Sequence, residues 1–179
     1  IYNSLGSSYK SLRKYNEAIE VLNKAVEINP NDTFSHFSLA DIYQLKREIE
    51  KALTEYQELL VINPNDIEAR FEIANIYQKK GENEKALQQY QKLVTKKPKD
   101  LNEQYFIAQA YKNLGETKKA LQEYKKIITI NPNHLRARRN VGSIYKEKGE
   151  IDKALQEYQN IITINPNYES ARIDIGNIY

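Results

Sequence analysis

The sequence contains no cysteine, methionine or tryptophan among its 179 residues, and its only histidines are His36 and His134. Without cysteine the chain forms no disulfide, thiolate metal site or thiol nucleophile, and two histidines so far apart provide no local metal-binding motif. No apolar run approaches the roughly 18 residues that a membrane-spanning helix needs. These absences exclude a disulfide-stapled domain and a membrane-spanning helix within these residues. They leave the compartment open, with the cytoplasm as the default.

Sequence motifs for catalysis are also missing. There is no G-x-x-x-x-G-K, no G-x-G-x-x-G and no H-E-x-x-H, so loops that cradle phosphate and the common metal sites lack their essential residues. The carboxylates stand next to lysines, as in Glu48, Glu50 and Lys51, which is typical of a solvated helix face. We therefore expect a chain that is not an enzyme, with no cofactor, no metal and no small-molecule substrate.

The sequence has a strict internal period instead. All five prolines fall 34 residues apart, and six tyrosines and five alanines keep the same interval. The members are Pro30, Pro64, Pro98, Pro132 and Pro166; Tyr9, Tyr43, Tyr77, Tyr111, Tyr145 and Tyr179; and Ala18, Ala52, Ala86, Ala120 and Ala154. A fixed period of this length indicates a repeat architecture in which each repeat is one supersecondary unit.

Each repeat is predicted to be a pair of helices. Apolar residues recur at helical spacing over residues 34–43 and again over 52–60, and an Asn-Pro-Asn turn follows because proline cannot continue a helix. Asp32, Asp66 and Asp100 are predicted to cap the next helix. The turn inside a pair carries Gly81, Gly115 or Gly149 in three repeats, where glycine permits a left-handed backbone. Arg13 and Arg47 take that place in the first two repeats, so we expect turns strained by about 1 kcal/mol or shaped differently.

Residue size predicts how the helices pack. Glycine or alanine of the first helix, such as Ala40, is expected to meet alanine of the second, such as Ala52, so that the backbones approach closely. Large tyrosines then fill the space around the crossing: Tyr43, Tyr77, Tyr111 and Tyr145, with Tyr56, Tyr90, Tyr124 and Tyr158. One pair cannot bury its own apolar faces, so neighbouring pairs must stack.

With these features the chain resembles the tetratricopeptide repeat family. The resemblance rests on Leu5-Gly6, Tyr9, Ala18, Leu22 and Pro30, and on Val141-Gly142, Tyr145, Ala154, Tyr158 and Pro166. It implies an all-α fold, a right-handed superhelical solenoid of antiparallel helix pairs. It also implies that the first helix of each pair lines a concave groove in which partner peptides lie. The family's early tryptophan is replaced throughout, by Tyr2, His36, Arg70, Gln104, Arg138 and Arg172.

We expect a single array over residues 1–179. Its parts are a partial repeat 1–32, repeats 33–66, 67–100, 101–134 and 135–168, and the first helix of a sixth repeat, 169–179. Residue 1 is not methionine and already falls inside a predicted helix, and the chain stops where a second helix should follow. We therefore expect the sequence to be a piece of a longer protein.

The resemblance predicts which residues face the groove. Counted from Thr33 and its equivalents, the inward places are the second, fifth, sixth, ninth, twelfth and thirteenth. All four phenylalanines and one tyrosine occupy such places: Phe34, Phe37, Phe71, Tyr105 and Phe106. They are interpreted as an apolar floor for a partner's side chains. The alternative is that Phe37, Phe71 and Tyr105 fold back onto the preceding second helix as ordinary core.

The ninth place is polar in every repeat. Its residues are Ser7, Asp41, Asn75, Gln109, Ser143 and Asn177. Spaced one repeat apart along the inner wall, they are candidates to pair with the backbone of an extended ligand. Simple solvation is the alternative.

Charge is distributed unevenly along the chain. Residues 1–90 carry 11 Lys and Arg against 14 Asp and Glu, whereas residues 91–179 carry 16 against 10. Arg136, Arg139 and Asn140 take inward places in the fifth repeat, so this half has a candidate patch for an acidic segment; a merely solvated patch is the alternative. The family's carboxylate clamp is not present, because the nearest frame matches it only at Asn75 and in the charge of Arg136.

The sequence therefore predicts a protein-protein interaction scaffold. Its partner would be an apolar or amphipathic segment of another protein, bound against the five aromatic residues with acidic flanks near Arg136 and Arg139. Two alternatives are self-assembly through the ends of the array and recruitment of substrates for an enzyme in a longer chain. Nucleic-acid binding is the least favoured, since basic and aromatic residues are not interleaved.

Overall fold

The computed structural model describes residues 1–178, which form eleven α-helices and no β-strand. The helices are α1 Tyr2–Ser11, α2 Tyr15–Ile28, α3 Thr33–Leu45, α4 Ile49–Ile62, α5 Ile67–Lys79, α6 Asn83–Val94, α7 Leu101–Asn113, α8 Thr117–Ile130, α9 Leu135–Glu147, α10 Ile151–Ile164 and α11 Glu169–Gly176. From α3 onward, each odd-numbered helix begins at the residue from which its repeat was counted. The predicted all-α fold of helix pairs is confirmed.

The chain divides into two compact units, Ile1–Leu93 and Val94–Tyr179. In unit 1, α1 packs on α2 and α3 on α4, while neighbouring pairs meet through α2–α3, α1–α3 and α4–α5. In unit 2, α7 packs on α8 and α9 on α10, and α8 packs on α9. Each short turn reverses the chain, so the two helices of a pair run antiparallel.

The tyrosines of the second helices form the centre of each core. Tyr56, Tyr90, Tyr124 and Tyr158 are almost completely buried. The small residues Ala40 and Ala52 have no exposed surface, as the close crossing requires. Gly6 and Gly142 lie closely against the second helix of their pair. A Cβ on Gly6 or Gly142 would lie 2.6 Å from Leu22 or Tyr158, one turn beyond the expected alanine.

The turns within the pairs have a left-handed residue, as predicted. Gly81, Gly115 and Gly149 have φ of +75 to +77°, and Arg13 and Arg47 adopt the same conformation with φ of 58 and 62°. At Arg47 the backbone N–H of Glu48 donates to the Tyr43 carbonyl at 2.8 Å, and the Arg47 N–H donates to the Gln44 carbonyl at 3.0 Å. These are the two bonds of a Schellman motif, so arginine supports the same turn with a strained backbone.

Replacing Arg47 by Gly is expected to raise the free energy of unfolding by about 1 kcal/mol, because glycine adopts this φ without a Cβ penalty. Urea denaturation followed by circular dichroism measures the change. The reverse substitution, Gly115→Arg, is the matched control, since no atom lies within 4 Å of an added Cβ there and only the backbone is strained. Equal stability of all three proteins would contradict this explanation of the turn.

The helix caps follow the prediction in part. Asp66 accepts from the Ala69 N–H at 2.9 Å and Asp100 from the Glu103 N–H at 2.8 Å. Asp32 makes no such bond; its carboxylate accepts instead from Asn3 Nδ2 and Ser35 Oγ, both at 2.8 Å. In the fifth repeat His134 takes over the role, with Nδ1 accepting from the Ala137 N–H at 3.1 Å.

Polar bonds occupy the corner where the family has its early tryptophan. Three of these side chains donate to the carbonyl of the preceding Pro and also bond a polar residue 19 positions later, on the second helix of the same pair. The bonds are His36 to Pro30 O (2.9 Å) and Glu55 (2.7 Å), Arg70 to Pro64 O (2.7 Å) and Gln89 (3.2 Å), and Arg138 to Pro132 O (2.7 Å) and Glu157 (2.8 Å). Gln104 reaches Glu123 at 3.1 Å. We call this arrangement the corner clasp.

The clasp of the second repeat uses both ring nitrogens of His36. The side chain is 6% exposed, and the two nitrogens lie within hydrogen-bond distance of the Glu55 carboxylate and the Pro30 carbonyl. Burial alone would lower the pKa of His36, but the bonds to the Glu55 carboxylate and the Pro30 carbonyl raise it above its ordinary value.

Candidate functional site

In unit 1 the first helices line an open groove of about 520 Å³. We call it the α1–α3 groove; the residues that matter here are Ser7, Lys10, Phe34, Phe37, Asp41 and Leu45. All six occupy places that the repeat count assigns to the inner wall. A second depression of about 410 Å³ shares Lys10, Asp41 and Leu45 with this groove and adds Gln44 and Glu72. The concave side of α1, α3 and α5 is therefore partly apolar and partly charged.

The phenylalanines of unit 1 have different environments. Phe34 is 46% exposed and lines the α1–α3 groove. Phe37 also lines it, but its ring is half-buried and packs edge-on against Tyr56 with the centroids 5.6 Å apart. Phe71 is only 4% exposed and lies 5.9 Å from the Tyr90 ring, so its ring belongs to the core rather than to a groove floor. Tyr90 belongs to the second helix of the same pair.

The polar residues at the ninth place have structural partners. The Tyr56 hydroxyl donates to the Asp41 carboxylate at 3.1 Å and accepts from Gln44 Nε2 at 2.9 Å. The Tyr90 hydroxyl donates to Asn75 Oδ1 at 2.6 Å. Asp41 also forms an ion pair with Lys10 at 2.6 Å. These bonds use part of the hydrogen-bonding capacity that the sequence suggested was free for a ligand.

The fourth repeat breaks this pattern. The Tyr124 hydroxyl is buried and has no hydrogen-bond partner among residues 1–178. Its repeat has Gln109 at the ninth place and Lys112 at the twelfth, where the second repeat has Asp41 and Gln44. Burial raises the pKa of Tyr124. An unsatisfied buried hydroxyl destabilises the fold, so this repeat is less well matched internally than the second.

Glu72 is a half-buried carboxyl on the wall of unit 1. Burial raises its pKa, although hydrogen bonds with Asn75 and Gln44 act in the opposite direction. Asp41 is a second carboxylate in the same depression, and Lys10 is the ammonium group there. This part of the wall therefore has more carboxylates than cations.

In unit 2 the first helices line a smaller and more polar pocket of about 190 Å³. We call it the α7–α9 pocket. It is bordered by Tyr105, Lys112, Arg136, Arg139, Asn140 and Ser143, with Tyr168 and Asp174 at the α11 side. Arg139 and Asp174 form a two-point ion pair, with Nε–Oδ2 at 2.5 Å and Nη2–Oδ1 at 3.2 Å. These bonds raise the pKa of Arg139.

Tyr105 and Phe106 of α7 belong to an aromatic cluster in unit 2. The Tyr105 ring lies 5.7 Å from Tyr124, 5.4 Å from His134 and 6.3 Å from Phe106. Tyr105 and Phe106 are both half-buried. Gln109 is half-buried on α7, outside the residues that line the pocket. Of the predicted site residues in this unit, the pocket brings together Tyr105, Arg136, Arg139 and Asn140.

The sequence analysis did not identify several residues of these two surfaces. Lys10, Leu45 and Lys112 lie at the twelfth or thirteenth place, which the repeat count had marked as inward, and Asp174 lies at the sixth place of the last repeat. Only their places in the repeat could have identified these residues, because a single lysine or leucine has no chemistry that marks it as a site residue.

Other surfaces are weaker candidates for a functional site. A depression of about 550 Å³ lies at the turn between α7 and α8, where Glu116 and Lys119 pair with each other. Within residues 1–178 no cluster of three histidine or acidic side chains is placed to hold a metal ion. None of the described helices is long and apolar enough to span a membrane.

Family models match nearly the whole chain. Models described as tetratricopeptide repeat match residues 1–32, 21–54, 67–100 and 104–134, and a model described as TPR repeat matches 46–81 and 142–179. The chain belongs to the tetratricopeptide repeat family. Such repeats bind other proteins or peptides, so the family supports a protein-interaction scaffold. No curated protein sequence matches the chain.

Solved structures share the fold at low identity. TTC0263, a thermophilic TPR protein of Thermus thermophilus, is 20% identical with a TM-score of 0.75, covering 99% of this chain and 96% of that one. PilF of Pseudomonas aeruginosa is 19% identical with a TM-score of 0.73, covering 95% and 78%. YrrB, described as a TPR protein with an unusual peptide-binding site, is 19% identical with a TM-score of 0.62, covering 98% and 90%.

Proposed function

We propose that this chain is a non-catalytic scaffold that binds an apolar or amphipathic peptide segment of another protein in the α1–α3 groove. The observation that carries the proposal is that one open groove on the inner wall is lined by two exposed large apolar side chains, Phe34 (46% exposed) and Leu45 (56% exposed). Exposed apolar surface in a groove marks sites of protein or ligand binding. YrrB, which has a similar fold, is described as having a peptide-binding site, and this supports peptide binding as a function of the fold.

The groove favours an amphipathic segment over a purely apolar one. Phe34, Phe37 and Leu45 provide apolar surface, whereas the Lys10–Asp41 ion pair crosses the same wall. An aliphatic or aromatic side chain of the partner would bury the Phe34 ring, which supplies the gain in free energy. Polar groups of the same segment would face the ion pair and the hydroxyl of Ser7.

Replacing Phe34 by Ala is expected to weaken peptide binding about fivefold, or about 1 kcal/mol, because it removes the exposed ring. The probe is a peptide selected from a displayed library of short random sequences on the unmodified chain, and fluorescence anisotropy measures its dissociation constant. Val61→Ala is the matched control: Val61 is 74% exposed but lies on a second helix, outside the groove.

Three results would contradict the proposal. One is equal weakening by Phe34→Ala and Val61→Ala. The other is selection of peptides whose binding perturbs nuclear magnetic resonance signals only outside α1, α3 and α5. The third is a sedimentation experiment at several protein concentrations that identifies a second copy of the chain as the occupant of the groove.

A further inference from the structure

The α7–α9 pocket is rich in cationic groups. Lys112, Arg136 and Arg139 line it, and Asp174 is the carboxylate among its lining residues. The half of the chain that contains the pocket carries a charge of +6, whereas residues 1–90 carry −3. A cavity lined by one sign of charge attracts ligands of the other sign.

These three cations are not equally available. Arg139 is held by Asp174 through two hydrogen bonds. Lys112 has looser partners, Glu147 and Ser143, each at 3.5 Å. Arg136 is exposed at the rim and forms no ion pair within residues 1–178. The guanidinium of Arg136 and the ammonium of Lys112 are therefore the groups best able to accept an anionic partner.

A neutral donor lines the same pocket. Asn140 donates one amide hydrogen to the Tyr105 hydroxyl at 3.1 Å and the other to the Arg136 carbonyl at 3.0 Å. Because the Tyr105 oxygen accepts this bond, its own proton is available as a donor. Asn140 thus acts as a positioning residue for Tyr105, as Asp174 does for Arg139. A neutral hydroxyl donor next to two cations suits a carboxylate, which only accepts.

We propose that the α7–α9 pocket binds the side-chain carboxylate of a glutamate or aspartate in the partner protein, with Arg136, Lys112 and the Tyr105 hydroxyl as donors. The proposal rests on the proposed function, since it names the chemistry of a partner segment. A volume of about 190 Å³ has room for one acidic side chain. It leaves little room for a nucleotide.

The test uses two blocked peptides that differ only in a central Glu or Gln and that contain no apolar side chain. Nuclear magnetic resonance titration of the isotope-labelled chain follows Arg136 Nε and Asn140 Nδ2. We expect the Glu peptide to shift these signals and the Gln peptide to leave them unchanged. Arg136→Gln should weaken binding at least about fivefold, whereas Asp174→Asn should strengthen it about twofold by removing the competing carboxylate.

Arg172→Gln is the matched control, since it removes the same charge from an exposed arginine of the same unit outside the pocket. We expect it to change affinity less than about twofold, so equal effects of Arg136→Gln and Arg172→Gln would overturn the proposal. Equal binding of the Gln peptide, binding only by a peptide with a free carboxyl terminus, or tighter binding of a single-stranded oligonucleotide would overturn it too.

The two proposals fail separately. The blocked Glu peptide has no apolar side chain, so Phe34→Ala should leave its affinity unchanged. If Phe34→Ala has no effect on the selected apolar peptide while the Glu peptide still shifts Arg136, the proposed function fails and the carboxylate pocket stands. If instead Phe34→Ala weakens binding of the selected apolar peptide and the Glu peptide does not shift Arg136, the carboxylate pocket fails and the proposed function stands.

Discussion

Replacing Ala52 by Leu is expected to lower the free energy of unfolding by about 3 kcal/mol. Ala52 is completely buried on α4, in the same core cluster as the equally buried Ala40 of α3. Three additional heavy atoms have no space at this crossing, so the two helices must separate or side chains must leave their preferred rotamers. Urea denaturation followed by far-ultraviolet circular dichroism measures the loss.

The control for Ala52→Leu lies on the same helix. Gln57 is exposed, so Gln57→Leu adds an apolar side chain without entering the core and should change stability by less than about 0.5 kcal/mol. If Ala52→Leu were as stable as Gln57→Leu, the close approach of α3 and α4 would not depend on small residues. That result would contradict the explanation that small residues let the two helices of each pair approach closely.

Replacing Tyr56 by Phe is expected to destabilise the chain by about 2 kcal/mol. The Tyr56 hydroxyl donates to the Asp41 carboxylate and accepts from Gln44, and the phenylalanine ring fills the same space without either bond. Hydrogen bonds to a charged group contribute about 1.5–3 kcal/mol each, and Asp41 would lose such a partner in a half-buried place. Thermal and urea denaturation measure the change.

Tyr124→Phe is the matched comparison, because the same atom is removed from an equivalent tyrosine. The Tyr124 hydroxyl has no partner in the described part of the chain, so its removal should be neutral or stabilise by up to about 1 kcal/mol. Equal destabilisation by the two substitutions would show that Tyr124 has a partner and that the polar network does not distinguish the repeats.

The fold could be predicted almost completely from the sequence, because the period fixes it. Prolines every 34 residues end the second helices, and the first helices begin at Thr33, Ile67, Leu101, Leu135 and Glu169, as counted. The left-handed turn was also predictable, since Gly81, Gly115 and Gly149 have no other reason to share one place. Arg13 and Arg47 follow the shape set by the repeat despite their side chains.

The site could be predicted only in part. The repeat count gave the inward side of each first helix, but it could not say which aromatic rings stay accessible. Phe37 and Phe71 both occupy the fifth place, yet the half-buried ring of Phe37 lines the groove and that of Phe71 is only 4% exposed and packs on Tyr90. Their difference depends on side-chain packing between helices, which residue type and period do not encode.

Hydrogen bonding between helices explains the remaining differences. The polar ninth place suggested ligand contacts, but Asp41 and Asn75 bond the hydroxyls of tyrosines 15 residues later, on the second helix. Arg139 likewise pairs with Asp174, 35 positions along the chain. Such partners become visible only when the helices are placed side by side.

The corner clasp has a consequence for how a unit loses structure. At His36, Arg70 and Arg138 one side chain joins the turn before the pair to the second helix of that pair. Melting of a single pair would break its side-chain bonds to the carbonyl of the preceding turn. Neighbouring pairs are therefore coupled by directional bonds in addition to apolar contact, which discourages fraying one pair at a time and favours cooperative melting within each unit.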